Sequence, residues 1–197
     1  HPELAEQEFY IGMGETAENL AKDLSISREE QEEFAMESHR KALLAYSGGK
    51  FDNELIPIKI NTEITVTKDD GPREPNEEKI KSLAPAFLEE GSITAATSSP
   101  ISVGASALLI GNESFCEIND LKPRAEIVSR AIAGVHWDRM GMGPLPAVEK
   151  ALQKAKIGIE DIETIELNEA FAAQALYVIR KGGWDQNKIN LNGGAIA

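Results

Sequence analysis

An asparagine at a predicted strand-to-helix junction is well placed for chemistry. Asn168 lies between an apolar strand predicted over 163–167 and a helix predicted over 170–181. Ligands of α/β proteins bind at the carboxyl ends of strands, where a carboxamide can hold a water against a developing oxyanion. The position also suits a helix N-cap, with Glu169 complementing the helix dipole. The local pattern favours the cap and leaves both interpretations open.

Two glycine-containing loops could also approach a ligand closely. Gly193 and Gly194 follow a strand predicted over 188–191, and the loop 140–143 precedes a helix predicted over 144–156 that begins with proline. Glycine permits tight turns and close backbone approach, and proline is favoured in the first helical turn. Each loop alone could equally be a turn or a helix entry.

Composition excludes several classes of function. The 197 residues are 42% hydrophobic, which is enough for a core, and their net charge of −13 argues against binding to nucleic acid or an anionic membrane. A single cysteine, Cys116, excludes an internal disulfide, and the three histidines lack ligand spacing, so no metal site is predicted. The start, His1-Pro2-Glu3, has no secretory pattern, and we expect a cytoplasmic protein.

Periodicity predicts the elements that position these residues. Ser27 and Glu30 form a capping box that begins a helix to about Tyr46, and an earlier short helix has Thr16 as its expected N-cap. Further strands are predicted over 55–60, 63–67, 105–110 and 126–133, and short helices over 77–83 and 113–119. Strand and helix alternate from about 124 to the end, which is typical of a mostly parallel α/β layer.

The chain resembles the thiolase family in motifs that follow the family's order. Residues 168–172, Asn-Glu-Ala-Phe-Ala, are similar to the family's Asn-Glu-Ala-Phe motif, and residues 192–197 resemble the run that precedes Gly-His-Pro. Three further segments resemble motifs of the family. One consists of Met13-Gly14 and residues 16–19, the next of Leu83 and residues 85–87 and 92–95, and the last of Met140-Gly141 and residues 143–144 and 146–147. The five motifs together are highly specific and cover nearly all of the chain.

The resemblance implies an α/β fold of the thiolase-like layered αβαβα type, present in part. Residues 1–91 would form most of the loop (lid) domain. Residues 92–121 would be the last elements of the N-terminal half, and 122–197 the first part of the C-terminal half.

The resemblance also implies an activity. Thiolases are acyl-CoA acyltransferases that catalyse Claisen condensation of acetyl-CoA or thiolytic cleavage of 3-ketoacyl-CoA through a Cys acyl-enzyme. The coenzyme A thioester is then the substrate, and no separate cofactor is expected. The full-length protein would be a homo-oligomer, a dimer or a tetramer.

Site residues follow by position in the motifs. Asn168 would hold, with a downstream His, the water of one oxyanion site. The CoA-contacting residues implied are Ser99 and Phe171 at the pantetheine arm, Met13 and Met140 as channel walls, Phe87 near the adenine end, and Arg73 at the phosphate or adenine region. Arg73 could equally be a solvated loop residue.

The chain also departs from the family pattern. Nothing in it matches the nucleophilic Cys, Cys116 resembles no catalytic motif, and the Gly-His-Pro His and the second Cys are absent. Thr97 stands where the family often has Asn, and Val103 where it usually has Asp. We therefore expect the isolated chain to be inactive. Two alternatives stay open: a non-catalytic thiolase-like subunit that binds CoA or a partner, and a structural fragment that binds nothing.

Overall fold

The longest helix begins at the capping box that the sequence predicts. In a computed structural model that describes all residues from His1 to Ala197, the Glu30 N–H donates to Ser27 Oγ at 3.2 Å, and the Ser27 N–H donates to the Glu30 carboxylate at 2.8 Å. Helix α3 then covers Arg28–Ser47 and ends at Gly48. Gly49 follows with a φ of +67°, the left-handed region that glycine tolerates.

Six other helices and one hairpin complete the regular structure. The helices are α1 (Pro2–Glu6), α2 (Met13–Asp23), α4 (Glu77–Lys81), α5 (Glu113–Ile118), α6 (Pro144–Ala155) and α7 (Ala172–Gly182), with 3₁₀ turns at Ala95–Thr97, Trp137–Met142, Ile159–Asp161 and Gln186–Lys188. None of the helices combines the length and the apolar character that a membrane crossing requires. The predicted helices are confirmed in type, and their ends differ by a few residues.

The start of α2 corrects one prediction. Its N-cap is Gly12 and not Thr16, because the Gly12 N–H is bound by the Glu15 carboxylate at 3.3 Å. Thr16 is buried inside the helix, and its hydroxyl donates to the Met13 carbonyl oxygen at 2.7 Å. The helix therefore reaches back to Met13 and places that residue at its first turn.

Strand pairing is sparse. Strands β1 (Ile58–Lys59) and β2 (Thr65–Val66) lie within the strands predicted over 55–60 and 63–67 and form an antiparallel hairpin, in which Ile58 pairs with Val66. The strands predicted over 163–167 and 188–191 do not form as regular strands, and a single parallel bridge between Ile165 and Ile189 takes their place. The α7 helix lies between these two segments in the sequence, as in a β-α-β unit.

The strands predicted over 105–110 and 126–133 do not form. Both segments lack regular structure, and the apolar side chains of Leu108 and Ile132 are almost fully exposed. The second segment runs beside α6, where the Ser129 hydroxyl donates to the Ala151 carbonyl oxygen at 2.8 Å. The prediction is wrong here because a strand needs a neighbouring strand for its backbone groups, and this chain supplies none.

The core is built around the first two turns of α7, which are buried on every side. All eight residues from Ala172 to Ile179 are buried. One face packs in a cluster with α2, formed by Ala17, Leu20, Ala21, Ile26, Ile93, Ala173, Leu176 and Tyr177. The opposite face packs in a second cluster, formed by Leu167, Ala175, Val178, Ile179, Trp184 and Ile189. Helix α7 therefore joins the first and last parts of the chain in one core.

Burial of His39 predicts a pH dependence of stability. His39 on α3 is 5% exposed, and its Nδ1 has no hydrogen-bond partner. Burial, and then the positive charge of Arg73, lower the pKa of this imidazole. The unfolded chain therefore binds a proton at a higher pH, about 6.5, than the folded chain does. Stability is unaffected above that pH and is lost as the pH falls from there to the folded pKa.

We expect His39→Gln to lose less stability than the wild type when urea unfolding is compared at pH 7.5 and 5.5. The difference between the two proteins isolates His39 from the carboxylates that both share. His1→Gln, at the exposed N-terminus, is the matched control and should follow the wild type. Equal losses in wild type and His39→Gln would contradict the effect.

Candidate active site

A cleft of about 450 Å³ opens where α2, the Trp137–Met142 turn and the segment before α7 meet. Met13, Met140, Asn168 and Phe171 line it, together with Gln174 and other residues of α6 and α7. Its volume lies in the range of small-molecule sites, roughly 300–1,000 Å³. The structure therefore brings together four of the seven predicted site residues.

Asn168 presents a free carboxamide to this cleft. The residue is exposed, and its side chain makes no hydrogen bond within the chain. It is not the N-cap of α7, because that helix begins at Ala172 with Phe171 as its N-cap. The cap interpretation is wrong since the intervening backbone stays extended: Phe171 forms an antiparallel bridge with Ser98. The amide of Asn168 is thus available for a ligand and is not used in holding the helix.

Ser99 and Phe87 lie just behind the cleft wall. The Ser99 N–H donates to the Ala170 carbonyl oxygen at 3.0 Å. The ring of Phe87 meets that of Phe171 edge to face, with centroids 5.6 Å apart. A Cβ at Gly14 would lie 2.0 Å from the Phe87 ring, so the glycine lets the aromatic pair approach α2. The two predicted CoA-contacting residues are therefore next to the cleft, in contact with its lining.

Arg73 is not brought into the cleft. Its exposed guanidinium donates to the Gly71 carbonyl oxygen at 3.1 Å. Gly71 lies against the Ala197 carbonyl oxygen, 2.2 Å from where a Cβ would stand, and the charge of Arg73 acts on His39. The expected role of Arg73 at the phosphate or adenine region of CoA stays a prediction.

Glu166 is the acidic group of the cleft. Partial burial, and then the negative charge of Glu169, raise the pKa of its carboxyl group, while Lys41 acts in the opposite direction. Protonation of Glu166 is therefore easier than for a free glutamate. The cleft contains no lysine or arginine, so an anionic group bound here depends on neutral donors such as the Asn168 amide.

No thiol and no imidazole line the cleft. Cys116 lies on α5 as a half-buried free thiol. No group of three or more His, Cys, Asp or Glu side chains is arranged to hold a metal ion.

The two departures from the family pattern have different surroundings. Thr97 is buried, and its hydroxyl accepts from the Thr94 N–H at 2.9 Å, so it completes a local turn. Val103 is fully exposed on the segment that lacks a strand partner. Neither residue lines the cleft.

A buried polar network, which the sequence does not predict, lies behind Asn168. The Glu169 carboxylate is 2% exposed and accepts hydrogen bonds from Ser38 Oγ at 2.7 Å, Asn190 Nδ2 at 2.8 Å and the Ile196 N–H at 3.2 Å. The Ser38 hydroxyl accepts in turn from the Gly194 N–H at 3.0 Å. The signal in the sequence is slight: one asparagine three residues before a Gly-Gly pair.

Comparison with known proteins decides the family. The pattern of "Thiolase, N-terminal domain" matches residues 2–114, and that of "Thiolase, C-terminal domain" matches residues 121–197. The chain belongs to the thiolase family. The finer division of the thiolase chain into lid and half-domains stays a prediction.

Curated relatives of this thiolase chain are longer proteins. It is 46% identical over 189 residues to an acetyl-CoA acetyltransferase of Escherichia coli. The aligned segment covers 94% of this chain and 48% of that protein. It is 40% identical over 203 residues to a 3-ketoacyl-CoA thiolase of Bacillus subtilis, covering 96% and 52% of the two chains. The chain thus spans about half the length of the curated relatives it matches.

Solved thiolase structures share the fold. Human mitochondrial 3-ketoacyl-CoA thiolase in complex with CoA matches with a TM-score of 0.93 at 38% identity, over 97% of this chain and 48% of that one. The dimeric peroxisomal thiolase of Saccharomyces cerevisiae matches with a TM-score of 0.91 at 40% identity, over 97% and 49%. The predicted α/β thiolase fold, present in part, is confirmed.

The contact between Gly14 and Phe87 predicts that no larger residue fits at position 14. Gly14→Ala should displace the Phe87 ring and lower the free energy of unfolding by about 1–3 kcal/mol, the usual cost of overpacking, less the better helix propensity of alanine. Urea unfolding measures the energy, and the NMR contact between the Phe87 and Phe171 rings measures the displacement. Gly104→Ala is the control, because nothing lies within 4 Å of its Cβ position. An unchanged ring contact in Gly14→Ala would contradict the prediction.

Proposed function

We propose that this chain is the central part of a thiolase that condenses acetyl-CoA with an acyl group or cleaves 3-ketoacyl-CoA through a Cys acyl-enzyme. The observation that carries the proposal is the free carboxamide of Asn168 in a largely apolar cleft. The names of the relatives, acetyl-CoA acetyltransferase and 3-ketoacyl-CoA thiolase, support this reaction class. The longer polypeptide that would contain this chain is called the parent protein below, and the proposed reaction requires it to supply the family's nucleophilic Cys and Gly-His-Pro His.

Asn168 would stabilise negative charge on the reacting oxygen. When a thiolate attacks a thioester or a 3-ketoacyl group, the carbonyl oxygen becomes an oxyanion. The Asn168 amide donates a hydrogen bond to a water at that oxygen, and the apolar walls strengthen the interaction by excluding bulk water. The donor is ready beforehand, since no group of the chain occupies it.

The walls of the cleft suit a slender, flexible substrate arm. Met13 and Met140 offer adaptable, polarizable surfaces, and Phe171 adds a flat apolar face backed by Phe87. Pantetheine would lie along these residues and along Ser99, and the adenine end would lie near Phe87. Coenzyme A acts as a substrate in this proposal, and no separate cofactor is needed.

The nucleophile would come from outside this cleft's own lining. No thiol is present there, and Cys116 lies on α5. Without a thiolate no acyl-enzyme forms, and groups that act as a unit give little rate when one of them is missing.

The parent protein would also be a homo-oligomer, because one structural relative is a dimeric thiolase.

We expect the purified 197-residue chain to catalyse no thiolysis of acetoacetyl-CoA and the parent protein to catalyse it. The absence of a thiol from the cleft is the reason. The assay follows loss of absorbance by the substrate's magnesium enolate at equal molar concentrations of both proteins. Clear turnover by the isolated chain would contradict the inactivity, and an inactive parent protein would contradict the proposed reaction.

Asn168→Ala in the parent protein should lower kcat by roughly 100- to 1,000-fold, which is the usual cost of losing one oxyanion donor. KM for acyl-CoA should change little, because the apolar walls remain. Asn187→Ala is the matched control, since Asn187 is exposed and its side chain bonds only to Asp185. A kcat of Asn168→Ala within a few-fold of wild type would show that Asn168 plays no catalytic part.

A second candidate is a non-catalytic thiolase-like subunit that binds CoA or a partner protein. The lack of thiol and imidazole groups in the cleft favours it. Calorimetric titration of the parent protein with CoA separates the candidates: binding without any thiolysis supports the second, and binding with thiolysis supports the first.

A further inference from the structure

Asn190 occupies an unusual backbone conformation in the protein interior. It follows the parallel bridge of Ile165 and Ile189 and has a φ of +45°. Asparagine tolerates the left-handed region better than most residues, yet a non-glycine residue there costs free energy. The residue is 3% exposed. Its surroundings must therefore hold it in place.

Every polar group of Asn190 is engaged. Its N–H donates to the Ile165 carbonyl oxygen at 2.9 Å, and its carbonyl oxygen accepts from the Gly193 N–H at 3.0 Å. Its side chain binds both backbone groups of Leu167: Oδ1 accepts from the Leu167 N–H at 2.7 Å, and Nδ2 donates to the Leu167 carbonyl oxygen at 2.8 Å. The carboxamide thus makes the two backbone hydrogen bonds at Leu167 that a neighbouring strand would make.

The same carboxamide also binds Glu169, the residue that follows Asn168 in the chain. Asn190 Nδ2 donates to Glu169 Oε1 at 2.8 Å. The second oxygen of Glu169 is held from α3 by Ser38 and from the chain's end by the Ile196 N–H. Gly194 is required beside this carboxylate, because a Cβ there would lie 2.2 Å from the carboxyl carbon.

Asn168 is therefore fixed from both sides by a single side chain. Leu167 and Glu169 are buried and bound to Asn190, while Asn168 between them is exposed and unbound. The backbone cannot rotate at 168 without breaking these bonds. The orientation of the Asn168 amide toward the cleft is thus set by a residue 22 positions later in the chain.

We propose that Asn190 is the positioning residue for Asn168, and that its left-handed conformation exists to aim its carboxamide at Leu167 and Glu169. The inference rests on the proposed function, because it gives Asn168 a catalytic task. Asn190 itself does not line the cleft with Asn168 and touches no substrate there.

The test uses Asn190→Gly in the parent protein. Glycine accepts a positive φ without strain, so the variant removes the carboxamide and leaves the backbone conformation permitted. Misplacing a catalytic group by about 1 Å costs roughly 100-fold in rate. We expect kcat for thiolysis to fall by about 10- to 100-fold, with KM within about threefold of wild type, since the apolar walls are untouched. Asn187→Ala should leave both constants unchanged.

A double mutant distinguishes positioning from general damage. If Asn190 acts through Asn168, then Asn190→Gly should cost less than about threefold in kcat when Asn168→Ala is already present, because the two changes remove one shared effect. The proposal is overturned if kcat of the double mutant falls by the product of the two single-mutant decreases. An unchanged kcat in Asn190→Gly, or a rise in KM as large as the fall in kcat, would also overturn it.

Hydrogen exchange gives a readout that does not depend on activity. Loss of the Asn190 carboxamide should remove protection of the Leu167 amide, which it binds, and leave amides in the middle of α7 protected. If the wild-type parent protein has no thiolase activity, the proposed function fails, and this exchange alone decides the positioning: unchanged protection at Leu167 overturns it. Should Asn190→Gly fail to fold, the wild-type parent protein decides instead: the Leu167 amide, which Asn190 Oδ1 accepts from, should be protected from exchange, and an unprotected Leu167 amide overturns the proposal.

Discussion

The structure depends on burial of the first eight residues of α7, Ala172 to Ile179. A helix that is buried on all sides needs apolar neighbours in every direction, and α7 obtains them from α2, α3 and the segment around the Ile165–Ile189 bridge. Three alanines in its first four residues, Ala172, Ala173 and Ala175, let these neighbours approach closely. The cleft lies at the amino end of this helix, so the packing that stabilises the chain also fixes the walls of the site.

A polar network continues this apolar core up to Asn168. Glu169 and Asn190 are buried, and each depends on the other and on backbone groups for its hydrogen bonds. Inside a protein such bonds strengthen one another, and removing one partner leaves a buried group unsatisfied at a cost of about 1–3 kcal/mol. The site is therefore held by directional bonds, while Met13 and Met140 on its open side are free to adapt.

The sequence predicts those features that have local causes. The capping box of Ser27 and Glu30 determines where α3 begins, and helical periodicity places α6 and α7. The resemblance to thiolases identifies Asn168 and the cleft-lining residues Met13, Met140 and Phe171, which lie far apart in the chain.

Features that depend on contacts between residues far apart in the chain are not predicted from the sequence. The contact between Ser38 and Glu169 joins residues 131 positions apart, so no local pattern reports it. The local pattern favours a helix cap at Asn168, because the extended pairing of Ser98 with Phe171 that excludes the cap is likewise non-local. The predicted strand over 105–110 has the right composition, but composition carries no information about a missing partner strand.

The ion pair between Arg180 and Glu30 joins residues that are 150 positions apart. During synthesis at roughly 5–20 residues per second, Glu30 leaves the ribosome roughly 8–30 seconds before Arg180. Helices α2 and α3 must spend this interval without α7, with Leu20 and Ala35 exposed to water. The apolar faces of these two helices are therefore covered only after the last helix emerges.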